Sequence, residues 1–470
     1  MDTVSNSKLI GLLSSIDVDE FKQLKYFVES PFHNRNTRVM QLLTTLSQYH
    51  PKFNAPQLTR EFLHAQVFVD KPFNDLEIRR TMSQLALVVT DFLAWMEIRN
   101  EDIGLKAAQL KALRKHGLSK QFEKTLRETN ELLENEKQTL NLNYYRYTTE
   151  QEKELFAEQL GPRRSSTRLQ EVSETLDLFY IQNKLKLACT AISYEKVFKD
   201  KYEIRLTDEV LRLIKETNLN DTLVNLYRYG LLTMTDPANE NHFRALKSLL
   251  QQELNLDPKE ERDIHVLAQN YCIRSVNQGK PGYFRELFDV YRLGLEKEVI
   301  QSDLSQFAPA FKNIVSAGVK AKEYDWVENF ILTYSELLDQ KQRSDYKNFN
   351  LARLRFDQGR FQETKQLLQE VKFKDVFITL NARVLLIKTF YELDQIDLAE
   401  HQIRNTLSFV SRQKNLSYHA EIFQRILHFM SKLLKLDTTK SENIETLAKE
   451  VSEAKGLSEK SWLLQKLEML

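Results

Sequence analysis

The residues best suited to chemistry in this sequence form a short basic segment in the first half of the chain. Arg163, Arg164 and Ser165 open the run 163–167, which lies just before a predicted helix. Free backbone N–H groups and the helix dipole favour an anion at such a position, and a Ser or Thr there could also be phosphorylated. A solvated loop in which Ser or Thr caps the helix explains the same residues. The segment is therefore a candidate anion loop with a plain structural alternative.

A second pair of reactive residue types is His265 and Cys272, which are seven residues apart and so share one face of a helix. Two ligands do not make a zinc site, and two packed core residues explain the spacing equally well. The sequence contains no GxxxxGK[ST], GxGxxG, GxSxG or HExxH motif. We therefore predict no catalytic residue, no metal and no cofactor. An enzyme built from scattered residues that no motif reveals is the remaining alternative.

Charge and hydropathy exclude several classes of protein. The chain has 67 basic and 66 acidic residues, which is no footprint for nucleic acid, so a nucleic-acid partner is unlikely on composition. Its two cysteines, Cys189 and Cys272, suggest core residues in a reducing compartment. The first residues show no signal-peptide pattern. The most apolar stretch, 82–98, is interrupted by Asp91 and Glu97 and is too short and charged to span a bilayer. We expect a cytoplasmic protein with no membrane partner.

The backbone that must position any site is predicted to be helical nearly throughout. Only 11 glycines and 9 prolines occur in 470 residues, and both residue types disfavour helix interiors. A chain of this length exceeds a single core. We predict an N-terminal helical domain over 1–100, an irregular helical-hairpin region over 101–260, and helical repeats over 261–470.

Three residues are predicted to begin helices in the first hundred. Asp17 with Glu20, and Asn74 with Glu77, both have the spacing of a capping box, in which the N-cap and N3 side chains bond to each other's backbone N–H. Thr59 is expected to cap a short helix between them.

A repeat is visible in the second half of the chain. The windows 317–332, 350–371 and 385–407 each contain an apolar helix, a short turn and a second amphipathic helix, and a weaker unit precedes them at 264–296. Such pairs bury their apolar faces only by stacking on neighbours. The residues just after the turn are Tyr324, Phe361 and Ile396, and the equivalent positions three residues later are Val327, Thr364 and Ala399.

These windows resemble tetratricopeptide (TPR) repeats, most clearly over roughly 310–410. The matching residues are Gly359, Phe361 and Thr364 in one unit and Asp394, Ile396 and Ala399 in the next. The sequence departs from that family in lacking an early Trp and a closing Pro, and in carrying Val327 at a usually small position. The resemblance implies a right-handed α-solenoid of stacked antiparallel helical hairpins. The overall layout also resembles uncharacterised bacterial helical-repeat proteins.

The resemblance also implies where a partner would bind. In the TPR-like register the first helix of each pair lines a concave surface, which places Arg353 and Phe356 inward, with Lys388 and Tyr391 at the equivalent positions of the next unit. A basic and an aromatic side chain repeated in this way would suit an acidic-aromatic peptide. The leading interpretation is a non-enzymatic interaction scaffold for a protein or peptide partner.

The alternative is a transcriptional regulator with a winged-helix-like DNA-binding segment at 58–92 and a TPR-like sensor region. Residues 1–100 carry 5 Lys and 6 Arg against 6 Asp and 5 Glu, so this segment has no net positive charge. No hairpin-like segment follows Ile98 to serve as a wing. Both observations favour the scaffold.

Overall fold

The computed structural model describes residues 3–161, 168–197, 201–369, 375–413, 416, 418–454 and 457–470. These residues form 23 α-helices, two short 3-10 helices and no strand, and their only β-type pairing is a bridge between Thr3 and Thr59. The all-α class predicted from the scarcity of glycine and proline is confirmed. The solenoid arrangement and its handedness stay predictions.

The chain divides into two compact units, Met1–Tyr180 and Ile181–Leu470. The three-part division predicted at residues 100 and 260 is a different one and stays a prediction. The helices of the first unit are α1 (Lys8–Ser14), α2 (Val18–Glu29), α3 (Thr37–Ser47), α4 (Arg60–Val67), α5 (Asp75–Asn100), α6 (Asp102–Lys115), α7 (Ser119–Asn135) and α8 (Leu140–Leu160).

The boundary between the units falls within the long helix α9 (Leu169–Val197). The helices of the second unit are α10 (Thr207–Thr217), α11 (Thr222–Thr235), α12 (Glu240–Leu250), α13 (Pro258–Asn277), α14 (Tyr283–Glu296), α15 (Leu304–Lys320), α16 (Tyr324–Tyr334), α17 (Arg343–Asp357), α18 (Phe361–Gln369), α19 (Val376–Glu392), α20 (Ile396–Arg412), α21 (Tyr418–Leu434), α22 (Ser441–Glu453) and α23 (Lys460–Glu468).

Helix starts in the first unit follow the predicted caps with one exception. Asp17 and Glu20 form the full capping box at α2, and Thr59 accepts from the N–H of Phe62 at α4. Asn74 caps α5, but Glu77 does not bond back to it, and its carboxylate lies 3.5 Å from Lys71 instead. The prediction of a second capping box is therefore correct for the Asn74 cap and wrong for Glu77, because the ammonium of Lys71 competes for the Glu77 side chain.

Three helical pairs of the second unit, α15–α16, α17–α18 and α19–α20, share one turn geometry. Lys322, Gly359 and Asp394 have positive φ angles of 63°, 77° and 57°, and each ends the first helix of its pair. The second helices begin two residues later, at the three residues predicted from the sequence. The turn residues are spaced 37 residues (322 to 359) and 35 residues (359 to 394), the same spacing as the equivalent positions in the sequence windows.

The contact between the two helices of each pair lies three residues after the second helix begins. Val327, Thr364 and Ala399 all have 0% of their surface exposed. The side chain of Val327 is larger than the residue usual at this position, and it fits because Gly318 faces it. A Cβ atom on Gly318 would lie only 2.4 Å from Cγ2 of Val327. The departure from the small-residue pattern at Val327 is thus balanced by a glycine on the opposite helix.

Contacts between helices extend along the second unit in chain order. Within the described residues, α15 packs on α16 and α17, α17 on α18 and α19, and α19 on α20 and α21. The helix α23 packs on α21 and α22. No described helix has the length and apolar character needed to cross a bilayer.

Candidate functional site

The four residues predicted to contact a partner lie together where α17 and α19 face each other. Arg353 and Phe356 lie three residues apart on α17, and Lys388 and Tyr391 have the same spacing on α19, so each pair shares a helix face. The Lys388 ammonium lies 4.6 Å from the ring centroid of Phe356. We call these four residues the inner-face cluster, after the surface on which the TPR-like register places them.

Local sequence determines where α19 begins and where α17 and α19 end. The side chain of Asp375 accepts from the N–H of Ile378 at 2.8 Å and so caps the start of α19. The left-handed residues Gly359 and Asp394 end the two helices. These signals are local and can be read from the sequence.

A later part of the chain also reaches the cluster. In the segment 457–470, the carboxylate of Glu459 forms a 2.8 Å ion pair with Lys388. The ring centroid of Trp462 lies 5.3 Å from the Lys388 ammonium, on which Phe356 also packs. Lys388 is therefore held by one carboxylate and two aromatic rings, and its side chain is only 11% exposed.

Trp462 is fixed by two residues of α19, Tyr391 and Glu392. Its ring packs edge-to-face on Tyr391, with centroids 5.4 Å apart and an interplanar angle of 81°. Its Nε1–H donates to Glu392 at 2.8 Å, and the other oxygen of that carboxylate accepts from Lys466 at 2.7 Å. The one polar atom of the indole therefore has a hydrogen-bond partner, and Trp462 is 7% exposed.

Arg353 occupies the other end of the cluster, within the electrostatic influence of Glu459 and Asp357. Its guanidinium donates to Oγ of Ser316 at 2.9 Å and lies 5.9 Å from the ring of Phe349. Among the described residues no carboxylate forms an ion pair with Arg353 or with the half-buried Lys312. Burial lowers the pKa of both groups, and for Lys312 the charge of Arg353 lowers it further. The charges of Glu459 and Asp357 act to raise the pKa of Arg353, so this end of the cluster is cationic and its charge is partly offset by carboxylates of the chain.

The positive charges of the cluster keep a nearby carboxylate ionised. Burial acts to raise the pKa of Glu459, but the charge and hydrogen bond of Lys388 and the charges of Arg353 and Lys320 outweigh it, so the pKa is lowered. The site therefore stabilises an ionised acidic group next to an aromatic ring.

The candidate anion loop gives no such geometry. Arg163, Arg164 and Ser165 lie outside the described residues. Beside them, the backbone N–H of Arg168 donates to Oε2 of Glu154 at 2.7 Å. A carboxylate of the chain itself therefore already occupies one donor at the start of α9.

The reactive residue types elsewhere are buried in the core. His265 and Cys272 both have 0% exposure, and the described residues contain no group of three or more His, Cys, Asp or Glu side chains placed to hold a metal. Burial raises the pKa of the Cys189 thiol to about 12 and that of Cys272 still further. Both cysteines are therefore neutral packing residues, as the sequence predicted.

In the segment 58–92, proposed as winged-helix-like, the side chains of Arg60 and Arg79 form ion pairs with an acidic residue of the same segment. Asp75 lies 2.7 Å from Arg60 and 2.8 Å from Arg79, and Asn74 uses its side chain as a cap. The described part of the first unit contains no strand that could act as a wing.

Sequence reasoning missed Glu459, Trp462 and Glu392. The spacing of Glu459 and Trp462 gave no signal, because Glu323 stands three residues before Trp326 in the same way. Contacts across 70 residues, as between Glu392 and Trp462, leave no trace in local spacing.

Comparison of the chain with family models, curated proteins and solved structures gave no match.

Proposed function

We propose that this chain is a non-enzymatic scaffold that binds an acidic-aromatic peptide or helix of a protein partner on the concave face of a right-handed, TPR-like α-solenoid. One observation carries the proposal. The four residues selected by their repeat positions lie together, and they hold a carboxylate and an indole at once.

Charge supports the choice of ligand. Arg353 and Lys312 are half-buried cations without a described ion-pair partner, and an acidic side chain of a partner would neutralise them. The aromatic residues beside them supply surface for a ring. A balanced overall charge and two buried, neutral cysteines fit a partner in the reducing cytoplasm.

The experiment is selection of a random 14-residue peptide library on the immobilised full chain. We expect enrichment of peptides with Asp or Glu within four residues of Trp, Tyr or Phe. Their binding should fall at least tenfold in the double variant Arg353→Gln/Lys388→Gln. Arg212→Gln serves as the matched control, because this side chain is 69% exposed on α10. Enriched peptides of any other composition, or full binding by the double variant, would contradict the proposal.

A further inference from the structure

The helix α23 begins without a side-chain hydrogen bond from its N-cap residue, as α6 and α16 also do at Glu101 and Glu323. Its N-cap residue is Glu459, a residue type outside the set preferred at that position, and its side chain caps no backbone N–H. The carboxylate is directed to Lys388 instead. The start of α23 is therefore set by a tertiary contact with the inner-face cluster rather than by a local capping signal.

The contacts of the segment 457–470 have the chemistry expected of an acidic-aromatic ligand. Glu459 supplies the carboxylate to Lys388, and Trp462, three residues later on the same helix face, supplies the ring to Lys388 and Tyr391. The indole N–H donates to Glu392. Three polar or charged contacts thus converge where the proposed function places a partner.

A purely structural role explains only part of this segment. Leu463 and Leu467 are 1% and 4% exposed and close the apolar core against α21 and α22. Closing a core requires no carboxylate, and moving one out of water is costly unless it is paired. Glu459 and the polar edge of Trp462 are therefore in excess of what packing needs.

We propose that the segment 457–470 is a resident ligand of the inner-face cluster, and that a partner displaces it with a helix carrying Glu at its N-cap and Trp three residues later. This inference rests on the proposed function, because it names the class of partner and the way access is controlled. On displacement, the Glu and Trp side chains of the partner replace those of Glu459 and Trp462, and Lys388 pairs with the carboxylate of the partner.

The test uses the full chain and a synthetic peptide with the sequence of residues 457–470, labelled with fluorescein and followed by fluorescence anisotropy. Glu459→Gln removes the resident charge while keeping shape and hydrogen-bonding capacity. We expect this variant to bind the peptide at least tenfold more tightly than the unsubstituted chain. The gain should disappear when Lys388→Gln is added. Glu468→Gln is the matched control, since Glu468 is exposed on the same helix.

Hydrogen exchange supplies an independent readout, and circular dichroism checks that each variant is folded. When the peptide binds the unsubstituted chain, exchange over residues 457–470 of the protein should rise at least tenfold. Equal affinity for the unsubstituted chain and Glu459→Gln, or binding without faster exchange there, would overturn the resident-ligand inference and leave the proposed function standing. Failure of the library selection described above would overturn the proposed function itself.

Discussion

The contact between Gly318 and Val327 gives the sharpest test of the helical register. A Cβ atom on Gly318 would lie 2.4 Å from Cγ2 of Val327 and 3.3 Å from the ring of Phe288. Both partners are rigid, because valine has one strongly preferred χ1 rotamer and the phenylalanine ring is 1% exposed. We therefore expect Gly318→Ala to destabilise the α15–α16 pair, although alanine is the better helix former.

The magnitude follows from two opposing effects. Carbon atoms normally approach to about 3.5–4.0 Å, so a 2.4 Å contact requires a helix shift, and overpacking of this kind costs about 3 kcal/mol. Replacing glycine by alanine inside a helix recovers about 1 kcal/mol. The net destabilisation is about 2 kcal/mol, which corresponds to roughly a 30-fold change in the opening equilibrium.

Hydrogen exchange is the suitable assay, since a chain with two units need not unfold in one step. Protection over residues 304–334 should fall roughly 30-fold in Gly318→Ala. Adding Val327→Ala removes the clashing methyl group and should restore part of the protection. Gly11→Ala is the control, because a Cβ there meets nothing within 4 Å. Strictly additive effects of the two substitutions, or unchanged protection in Gly318→Ala, would show that the register is wrong.

Four further outcomes are expected. Ala399→Leu should overpack the α19–α20 contact, where the native residue is 0% exposed, and lower the free energy of unfolding by about 1–3 kcal/mol in a urea titration. Gly359→Val should cost about 1–2 kcal/mol through its φ of 77° alone, since its Cβ would meet nothing within 4 Å, and Gly359→Asn should cost less. Burial, reinforced by the charge of Lys297, lowers the pKa of His265 to about 4. Below pH 6.5 the unfolded chain therefore binds a proton that the folded chain does not, and the free energy of unfolding decreases as the pH falls towards 4. Between pH 7.5 and 5.5 the decrease should be about 1.3 kcal/mol, and it should be absent in His265→Gln. Lys388→Met should cost about 1–3 kcal/mol by leaving Glu459 unpaired, and Lys388→Met/Glu459→Met should recover most of it in the same titration.

Local signals explain which parts of the fold could be predicted. Turn residues and buried small positions recur at fixed offsets, so the helix starts at Phe361 and Ile396 and the burial of Ala399 follow from the sequence alone. The same offsets put Lys388 and Tyr391 at positions equivalent to Arg353 and Phe356, and in the structure the Lys388 ammonium lies 4.6 Å from the ring centroid of Phe356. These predictions needed only the helical period and the spacing of the repeat.

Tertiary competition explains what could not be predicted. Glu77 has the spacing of a capping box, yet Lys71 lies close enough to take its carboxylate. The placement of α23 depends on Glu459, which is a poor N-cap by local criteria and is directed instead to a lysine 71 residues earlier. Interactions of this range have no periodicity, so only the three-dimensional structure shows that the predicted binding surface is already occupied.

The ion pair between Lys388 and Glu459 is better explained by recognition than by stability. A well-packed apolar pair of similar volume is often as stable as a buried ion pair, or more so, because no charge has to be desolvated. Leu463 and Leu467 already anchor α23 through apolar contacts, so the carboxylate is not required to hold the helix. What the pair adds is selectivity, since any occupant without a carboxylate at that position leaves Lys388 buried and unpaired. Under the proposed function, this pair would make the surface discriminate among helices that could otherwise pack there equally well.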